Sequence, residues 1–169
     1  MRFLLATVLC VVMLAGAGCA DDADESPADD LVSSLVDEYG CGFAFYLGSA
    51  DQTAGLFAVY TDFEAARAGD IPAVTTLPDD HWIVEVEIGQ RLFANWCDGT
   101  VPPPDPPAAV EEVWTVVSGT ITILEQPGTG ACGPARARLS GLEAVAPDGA
   151  RLTLGDIEVA NPTFGCFAL

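Results

Sequence analysis

From Cys41 to the end of the chain, apolar and polar residues alternate in short runs, and this alternation constrains the fold most. In the clearest run, residues 82–88, every second side chain is Trp, Val or Ile. A period of two places successive side chains on opposite faces of a β-strand, so the run predicts a strand with one buried face. Turn-forming residues separate about eight such runs. The sequence therefore predicts an all-β fold, an antiparallel β-sandwich of jelly-roll or Ig-like type with at most one or two short helices.

Local patterns in the first part of this domain predict a hairpin and one helical turn. Residues 41–49 and 55–63 are rich in aromatic and β-branched side chains, and the polar segment ADQTA joins them. Such a pair of runs around a short polar segment is typical of a β-hairpin. Residues 64–70, EAARAGD, fit one helical turn, and the prolines within 72–78 predict an irregular connection after it.

In the second part of the domain, glycines mark the predicted turns. Gly89-Gln90 predicts a tight turn, and the β-rich run 113–124 is broken at Ser118-Gly119. That break fits either a hairpin turn or a β-bulge. Further along, the sequence PDG separates residues 135–145 from residues 150–159, which predicts two more strands with a turn between them.

Four cysteines of the domain, at positions 41, 97, 132 and 166, are separated by 56, 35 and 34 residues. Structural zinc sites use cysteine pairs at much shorter spacing, so this pattern favours disulfides in an oxidising compartment. Three pairings of four cysteines are possible. Because Cys132 precedes the last strand pair and Cys166 follows it, we favour Cys132–Cys166 together with Cys41–Cys97. In the loop-entropy model each bridge stabilises by at most about 4 kcal/mol.

The N-terminus has the pattern of an export signal. Arg2 precedes an apolar stretch, residues 3–15, that is too short to span a hydrocarbon core needing roughly 20 residues. The segment Ala15-Gly16-Ala17-Gly18-Cys19 then resembles the lipobox of bacterial lipoproteins, in which small residues precede an invariant cysteine whose thiol is diacylated before cleavage. The resemblance implies a signal peptide over 1–18, lipidation of Cys19 and an anchor on the outer side of a bacterial membrane in the cell envelope.

An ordinary signal peptidase is the alternative, since Ala15-Gly16-Ala17 also suits that enzyme and would release a soluble protein. The lipobox usually has Leu where this chain has Gly16. The number of cysteines left for disulfides favours the lipoprotein. Of six cysteines, Cys10 leaves with the signal and an acylated Cys19 cannot pair, so the remaining four can all form disulfides. In a soluble, unacylated protein, Cys19 would remain as a fifth cysteine, and five cysteines cannot all pair.

Residues 19–38 are interpreted as the lipidated cysteine and an acidic tether, before a single domain over 39–169. The run 21–30 has no aromatic or β-branched residue and cannot bury enough apolar surface to order itself. After Asp30 as N-cap, the apolar residues within 31–36 predict one short amphipathic helix.

The charge of the chain excludes one class of partner. Asp and Glu number 25 against six basic residues, all of them arginine, for a formal net charge of −19. Such a surface repels phosphate backbones, so we expect no nucleic-acid partner. A solvated acidic surface, a cation-rich partner and bound divalent ions stay open.

No catalytic motif such as G-x-S-x-G or H-E-x-x-H occurs, and a non-enzymatic protein is predicted. The single histidine, His81, follows two aspartates and precedes Trp82, a setting that suits a general base but lacks a nucleophile. His81 and Trp82 are candidate ligand contacts. The alternatives are an exposed loop histidine and a core tryptophan.

Carboxylates at strand ends are candidate metal ligands. Asp62, Asp79 and Asp80 lie in predicted loops, where β-sandwich modules often bind calcium through oxygen ligands. No cofactor is predicted except possible calcium. Two hypotheses follow: a lipid-anchored, non-enzymatic protein with a binding or envelope-structural role, with a protein or glycan as partner, or a calcium- or carbohydrate-binding module.

Overall fold

The computed structural model describes residues 31, 33–93 and 108–166, and strands dominate its secondary structure. The strands are β1 (Leu35–Tyr39), β2 (Ala44–Ser49), β3 (Ala54–Tyr60), β4 (Val74–Leu77), β5 (Trp82–Gln90), β6 (Ala109–Glu125), β7 (Gly133–Val145), β8 (Arg151–Leu154) and β9 (Ile157–Phe164); the helix α1 (Phe63–Ala68) lies between β3 and β4. The prediction of an all-β fold with few helices is confirmed for this part of the chain.

Hydrogen bonds join the nine strands into one antiparallel sheet. The strand order is β1-β2-β3-β5-β6-β7, and the two long strands at the end of this path, β6 and β7, pair with each other and each with two further strands. Strand β6 pairs with β5 along its first half and with β4 along its second, while β7 pairs with β9 and then with β8. A sandwich needs two separate sheets, so that prediction is not confirmed: the sheet instead curls on itself as a half-barrel.

Several local predictions are confirmed. Strands β2 and β3 form the expected hairpin, with Ala44 opposite Val59. The Asp62 carboxylate caps the start of α1, and Gly69, with a φ of 78°, ends the helix in the left-handed conformation that glycine tolerates best. Along β5, Trp82 and Val86 point into the core, as the alternation predicts.

The predicted helix over 31–36 is wrong from Leu35 onward. Leu31, Ser33 and Ser34 are helical, but β1 then pairs with β2, with Leu35 opposite Ser49. A short amphipathic segment has little intrinsic helical stability, and an available sheet edge overrides it. The folded sheet therefore begins at Leu35, inside the segment assigned to the tether and four residues before the boundary expected at residue 39.

The predicted turn at Gly89-Gln90 is also wrong. Both residues continue β5 and pair with Val110 and Ala109, and the chain turns afterwards at Arg91, whose φ is 54°. The connection expected over 72–78 contains a strand, β4, which pairs with the second half of β6. In both places, pairing with a distant strand overrides the local turn signal.

The break at Ser118-Gly119 is a bulge and not a hairpin turn. The register between β6 and β7 shifts on both sides of Ser118, and Gly119 adopts a φ of 139°. A Cβ on Gly119 would lie 2.5 Å from the Leu142 side chain, so glycine is required there for space and for conformation. The bulge lets β6 bend from one partner strand to the next.

The run 150–159 is divided at Gly155-Asp156 into β8 and the start of β9. Val145 pairs with Arg151 on one side of the division, and Leu139 pairs with Ile157 on the other. Both strands therefore lie along the same edge of β7, at its two ends. The turn at PDG, where the Asp148 carboxylate accepts a hydrogen bond from the Ala150 N–H, is as predicted.

The core fills the inside of the curl. Its members are large apolar residues from β2, β3, β5, β7, β8 and β9, among them Phe45, Leu56, Tyr60, Trp82, Val86, Leu139, Leu142, Leu154 and Phe164. Trp114 is partly buried against this cluster, and Trp96 lies outside the described residues. The tryptophans in strand patterns thus follow the core alternative wherever the structure describes them.

A disulfide joins Cys132 and Cys166, the pair that the sequence spacing favours. Their Cα atoms are 4.9 Å apart, where β7 begins and β9 ends. Cys41 is also disulfide-bonded, but its predicted partner, Cys97, lies outside the described residues, as does Cys19. None of the helices in the described ranges is long and apolar enough to cross a bilayer.

Candidate functional site

Two of the three carboxylates predicted as metal ligands accept hydrogen bonds from backbone N–H groups. Asp62 Oδ1 accepts a hydrogen bond from the Ala65 N–H at 3.0 Å, as the cap of α1. Asp79 Oδ1 accepts one from the His81 N–H at 2.9 Å, in the turn before β5. Both carboxylates thus have a local structural role, because they satisfy N–H groups that the helix and the turn leave without a backbone partner. Asp80 is exposed.

Two of these aspartates, Asp62 and Asp79, act together with Asp70 on the hydroxyl of Tyr60. Burial raises the pKa of the Tyr60 hydroxyl, and the negative charges of Asp62, Asp79 and Asp70 raise it further. The hydroxyl therefore stays protonated well above neutral pH. Among the described residues, however, no group of three or more His, Cys, Asp or Glu side chains is arranged to hold a metal ion. Calcium binding stays a prediction.

The two candidate ligand contacts are placed differently. His81 is exposed, its carbonyl accepts hydrogen bonds from the N–H and Oγ1 of Thr61, and its ring lies 6.1 Å from that of Tyr60. Trp82 is only 5% exposed and packs against Phe45 and Tyr60. This burial favours the core alternative for Trp82, and its role as a ligand contact stays a prediction.

A second site lies where two edges of the curled sheet, those of β1 and β9, approach each other. We call it the seam. It contains a cavity of about 450 Å³, a volume within the range of ligand pockets. Its lining comes from β1, β2 and the start of β9: Leu35, Val36, Asp37, Glu38, Leu47, Asp156, Ile157 and Glu158.

One end of the seam is closed by hydrogen bonds. Asn161, fully buried, donates from Nδ2 to the Ala44 carbonyl at 2.7 Å and accepts from the Thr163 N–H at 2.8 Å. Gly42 donates to the Cys166 carbonyl at 3.0 Å and accepts from the Gly165 N–H at 2.7 Å. The edges are therefore joined near residues 42 and 164 and separate toward residues 35 and 157.

At its open end the seam has an apolar floor and an acidic rim. Leu35, Leu47 and Ile157 are buried and belong to the core. The four carboxylates of the lining surround them, and Glu158 is bound by Arg136 and Arg138. The hydrogen bond from Arg138, with the charges of both arginines, lowers the pKa of Glu158. With four carboxylates against two arginines, the rim has a net negative formal charge.

Sequence reasoning missed the seam because no local pattern marks it. Its lining comes from residues 35–38 and 47 and, more than 100 positions later, from residues 156–158. Asp37 and Glu38 stood in the predicted tether, and the sequence contains no sign that their strand returns beside β9. Only the order of strands in the folded sheet brings these carboxylates together.

No protein-family model, curated protein or solved structure matches the chain. Its function is therefore inferred from its own residues and their geometry.

Replacing Asn161 with alanine should lower the free energy of unfolding by about 2 kcal/mol, within a range of roughly 1–3. The variant leaves the buried Ala44 carbonyl without the donor that it has in the wild type. Urea denaturation followed by tryptophan fluorescence measures the effect. Thr153→Ala, at an exposed position of β8, is the control and should change stability by less than about 0.5 kcal/mol. Equal midpoints for both variants would contradict the assigned role of Asn161.

Proposed function

We propose that this chain is an exported, lipid-anchored protein of a bacterial cell envelope, with a non-enzymatic binding or structural role. The observation that carries the proposal is the state of the described cysteines: Cys132 and Cys166 are joined, and Cys41 is disulfide-bonded. Disulfides persist in oxidising compartments outside the cytoplasm. They support export and agree with the signal-like residues 1–18.

The anchor is supported by the position of Cys19. It follows the apolar stretch and the small residues that resemble a lipobox. With Cys19 acylated and Cys10 removed with the signal, an even number of cysteines is left for disulfides. The carboxylates that follow would repel anionic headgroups and hold the folded domain away from the bilayer surface.

A binding role is supported over catalysis by the surroundings of the single histidine. His81 is exposed, and within the described residues no hydrogen bond joins its ring to a hydroxyl or a carboxylate. A histidine that activates a nucleophile needs such a contact, and usually a third group to orient it. The seam, by contrast, offers a concave surface with an apolar floor and polar rim, the common design of a binding site.

Cys19→Ala tests the anchor. In an expressing bacterium, the wild-type chain should fractionate with membranes, and mass spectrometry of its N-terminal peptide should show a diacylglyceryl group on Cys19. The variant should lose this adduct, because alanine has no thiol to acylate. Cys10→Ala is the matched control: it removes a cysteine from the apolar stretch and should leave lipidation intact. Recovery of an unmodified mature wild-type chain from the medium would contradict the proposal.

A further inference from the structure

We propose that the seam binds a lysine- or arginine-rich polypeptide segment as an added β-strand between β1 and β9. The inference rests on the proposed binding role and names the kind of partner that the domain would take. Strand addition is a recurring mode of peptide recognition, in which main-chain hydrogen bonds supply affinity and side-chain pockets supply specificity.

Strand direction makes both edges of the seam suitable for one inserted strand. The path from one edge to the other runs β1-β2-β3-β5-β6-β7-β9, and every step is antiparallel. Because the number of strands on this path is odd, β1 and β9 run in the same direction, which agrees with the parallel bridge between Gly42 and Phe164. A segment inserted antiparallel to β1 is therefore also antiparallel to β9. It would complete an even, fully antiparallel ring.

The backbone at the open end of the seam is available for such pairing. In the described part of the chain, β1 pairs only with β2, and the first half of β9 pairs only with β7. Their outer edges carry rows of N–H and C=O groups, and an unpaired edge is a template for another strand. At the other end, the hydrogen bonds around Asn161 and Gly42 join the edges and limit how far a strand can enter.

The lining of the seam selects the chemistry of the inserted strand. Inward-pointing side chains would meet the apolar floor of Leu35, Leu47 and Ile157, while their neighbours in sequence would point out toward Asp37 and Asp156. An extended segment in which apolar residues alternate with lysine or arginine meets both requirements, because strand side chains alternate between faces.

The net charge of the chain argues against two other occupants of the seam, a second copy of the chain and its own residues 21–30. The whole chain has a formal net charge of −19, so a second copy would be repelled, and its field would favour the approach of a cationic segment. Residues 21–30 of the chain itself contain carboxylates and no basic residue, and they would meet the same repulsion at the rim. A basic partner is the occupant that the rim attracts.

Three labelled peptides test the proposal with the full chain in non-ionic detergent, by fluorescence anisotropy at low salt. The first alternates lysine and valine over seven residues. The second has the same sequence with N-methyl groups on alternate backbone nitrogens, which blocks pairing along one of its two edges, so that it cannot bridge β1 and β9, and keeps the charge. The third replaces lysine with glutamate. We expect binding of the first, at least about tenfold weaker binding of the second and none of the third.

Two double variants locate the binding. D37N/E38Q removes two rim charges and should weaken binding of the lysine–valine peptide about fivefold to tenfold. E64Q/D70N removes two exposed carboxylates that do not line the seam and should leave affinity within about twofold. In the wild type, the peptide should also slow amide hydrogen exchange at residues 35–38 and 157–160, since those N–H groups would become paired.

Three outcomes would overturn the inference: no binding of the lysine–valine peptide, equal affinity for its N-methylated form, or equal weakening by both double variants. The second and third would mean diffuse charge attraction without strand addition. Comparing the two lysine peptides requires no change to the protein, so it decides the matter even if a variant folds poorly. Lipidation of Cys19 is measured separately, so failure here is distinguishable from failure of the anchor proposal.

Discussion

Phe45→Ala should lower the free energy of unfolding by about 3–5 kcal/mol, the cost of emptying a large buried aromatic site. The Phe45 side chain is 1% exposed, and its ring centroid lies 5.1 Å from that of Phe164 and 6.4 Å from that of Trp82. These three rings come from β2, β9 and β5, so Phe45 packs β2 against two strands that are not its neighbours in the sheet. Its removal should loosen the closure of the curl as well as leave a cavity.

Urea denaturation at neutral pH measures this loss, and Phe63→Ala provides the matched control. Phe63 is 47% exposed at the start of α1 and stacks on Phe43, so the same substitution removes much less buried surface there. We expect it to cost less than about half as much as Phe45→Ala. If both variants lost the same stability, the placement of Phe45 at the centre of the core would be wrong.

The double variant Cys132→Ser with Cys166→Ser should lose up to about 4 kcal/mol of stability under non-reducing conditions. The bridge closes a loop of sequence separation 34 that contains β7, β8 and β9. Without it, the unfolded chain gains conformational freedom, and the end of β9 is no longer fixed beside the start of β7. The variant should unfold at a clearly lower denaturant concentration than the wild type.

Ala131→Ser is the control for this disulfide, because residue 131 is exposed and lies next to Cys132. It introduces the same hydroxyl without breaking a bridge, and we expect a change within about 0.5 kcal/mol. Non-reducing peptide mapping of the wild type should also recover the peptides of Cys132 and Cys166 as one linked species. Wild-type stability in the double variant, or a different linked pair in the map, would contradict the assignment.

Elements fixed by local chemistry were predictable from the sequence. The hairpin of β2 and β3 needs two apolar runs around a polar turn, α1 needs Asp62 as cap, and β5 shows its alternation directly. Leu35–Tyr39 was not predictable in the same way, since its apolar spacing suits a short helix as well as a strand. The choice is made by the edge of β2, which a local pattern does not contain.

The candidate sites show the same difference between features that local sequence determines and features that the whole sheet determines. Asp62 and Asp79 were singled out because they stand at strand ends, and they do stand there, but their oxygens serve nearby N–H groups. Turn and cap carboxylates look like metal ligands in a sequence because both tasks call for aspartate in a loop. The seam depends on which two edges meet, and this follows from the number and direction of strands in the whole sheet.

The hydrogen bonds of Gly42 with Gly165 and Cys166 also determine when, during synthesis or export, this end of the seam can close. A chain made or exported from its N-terminus presents residues 40–44 first, whereas their partners on β9 arrive more than 100 residues later. Until then Phe45 has no Phe164 to cover it, and the inner face of the first hairpin stays open to water. Contacts so distant in sequence also carry a large loop-closure cost, which slows their formation. For a newly made molecule, exposure to aggregation therefore lasts until β9 has been delivered.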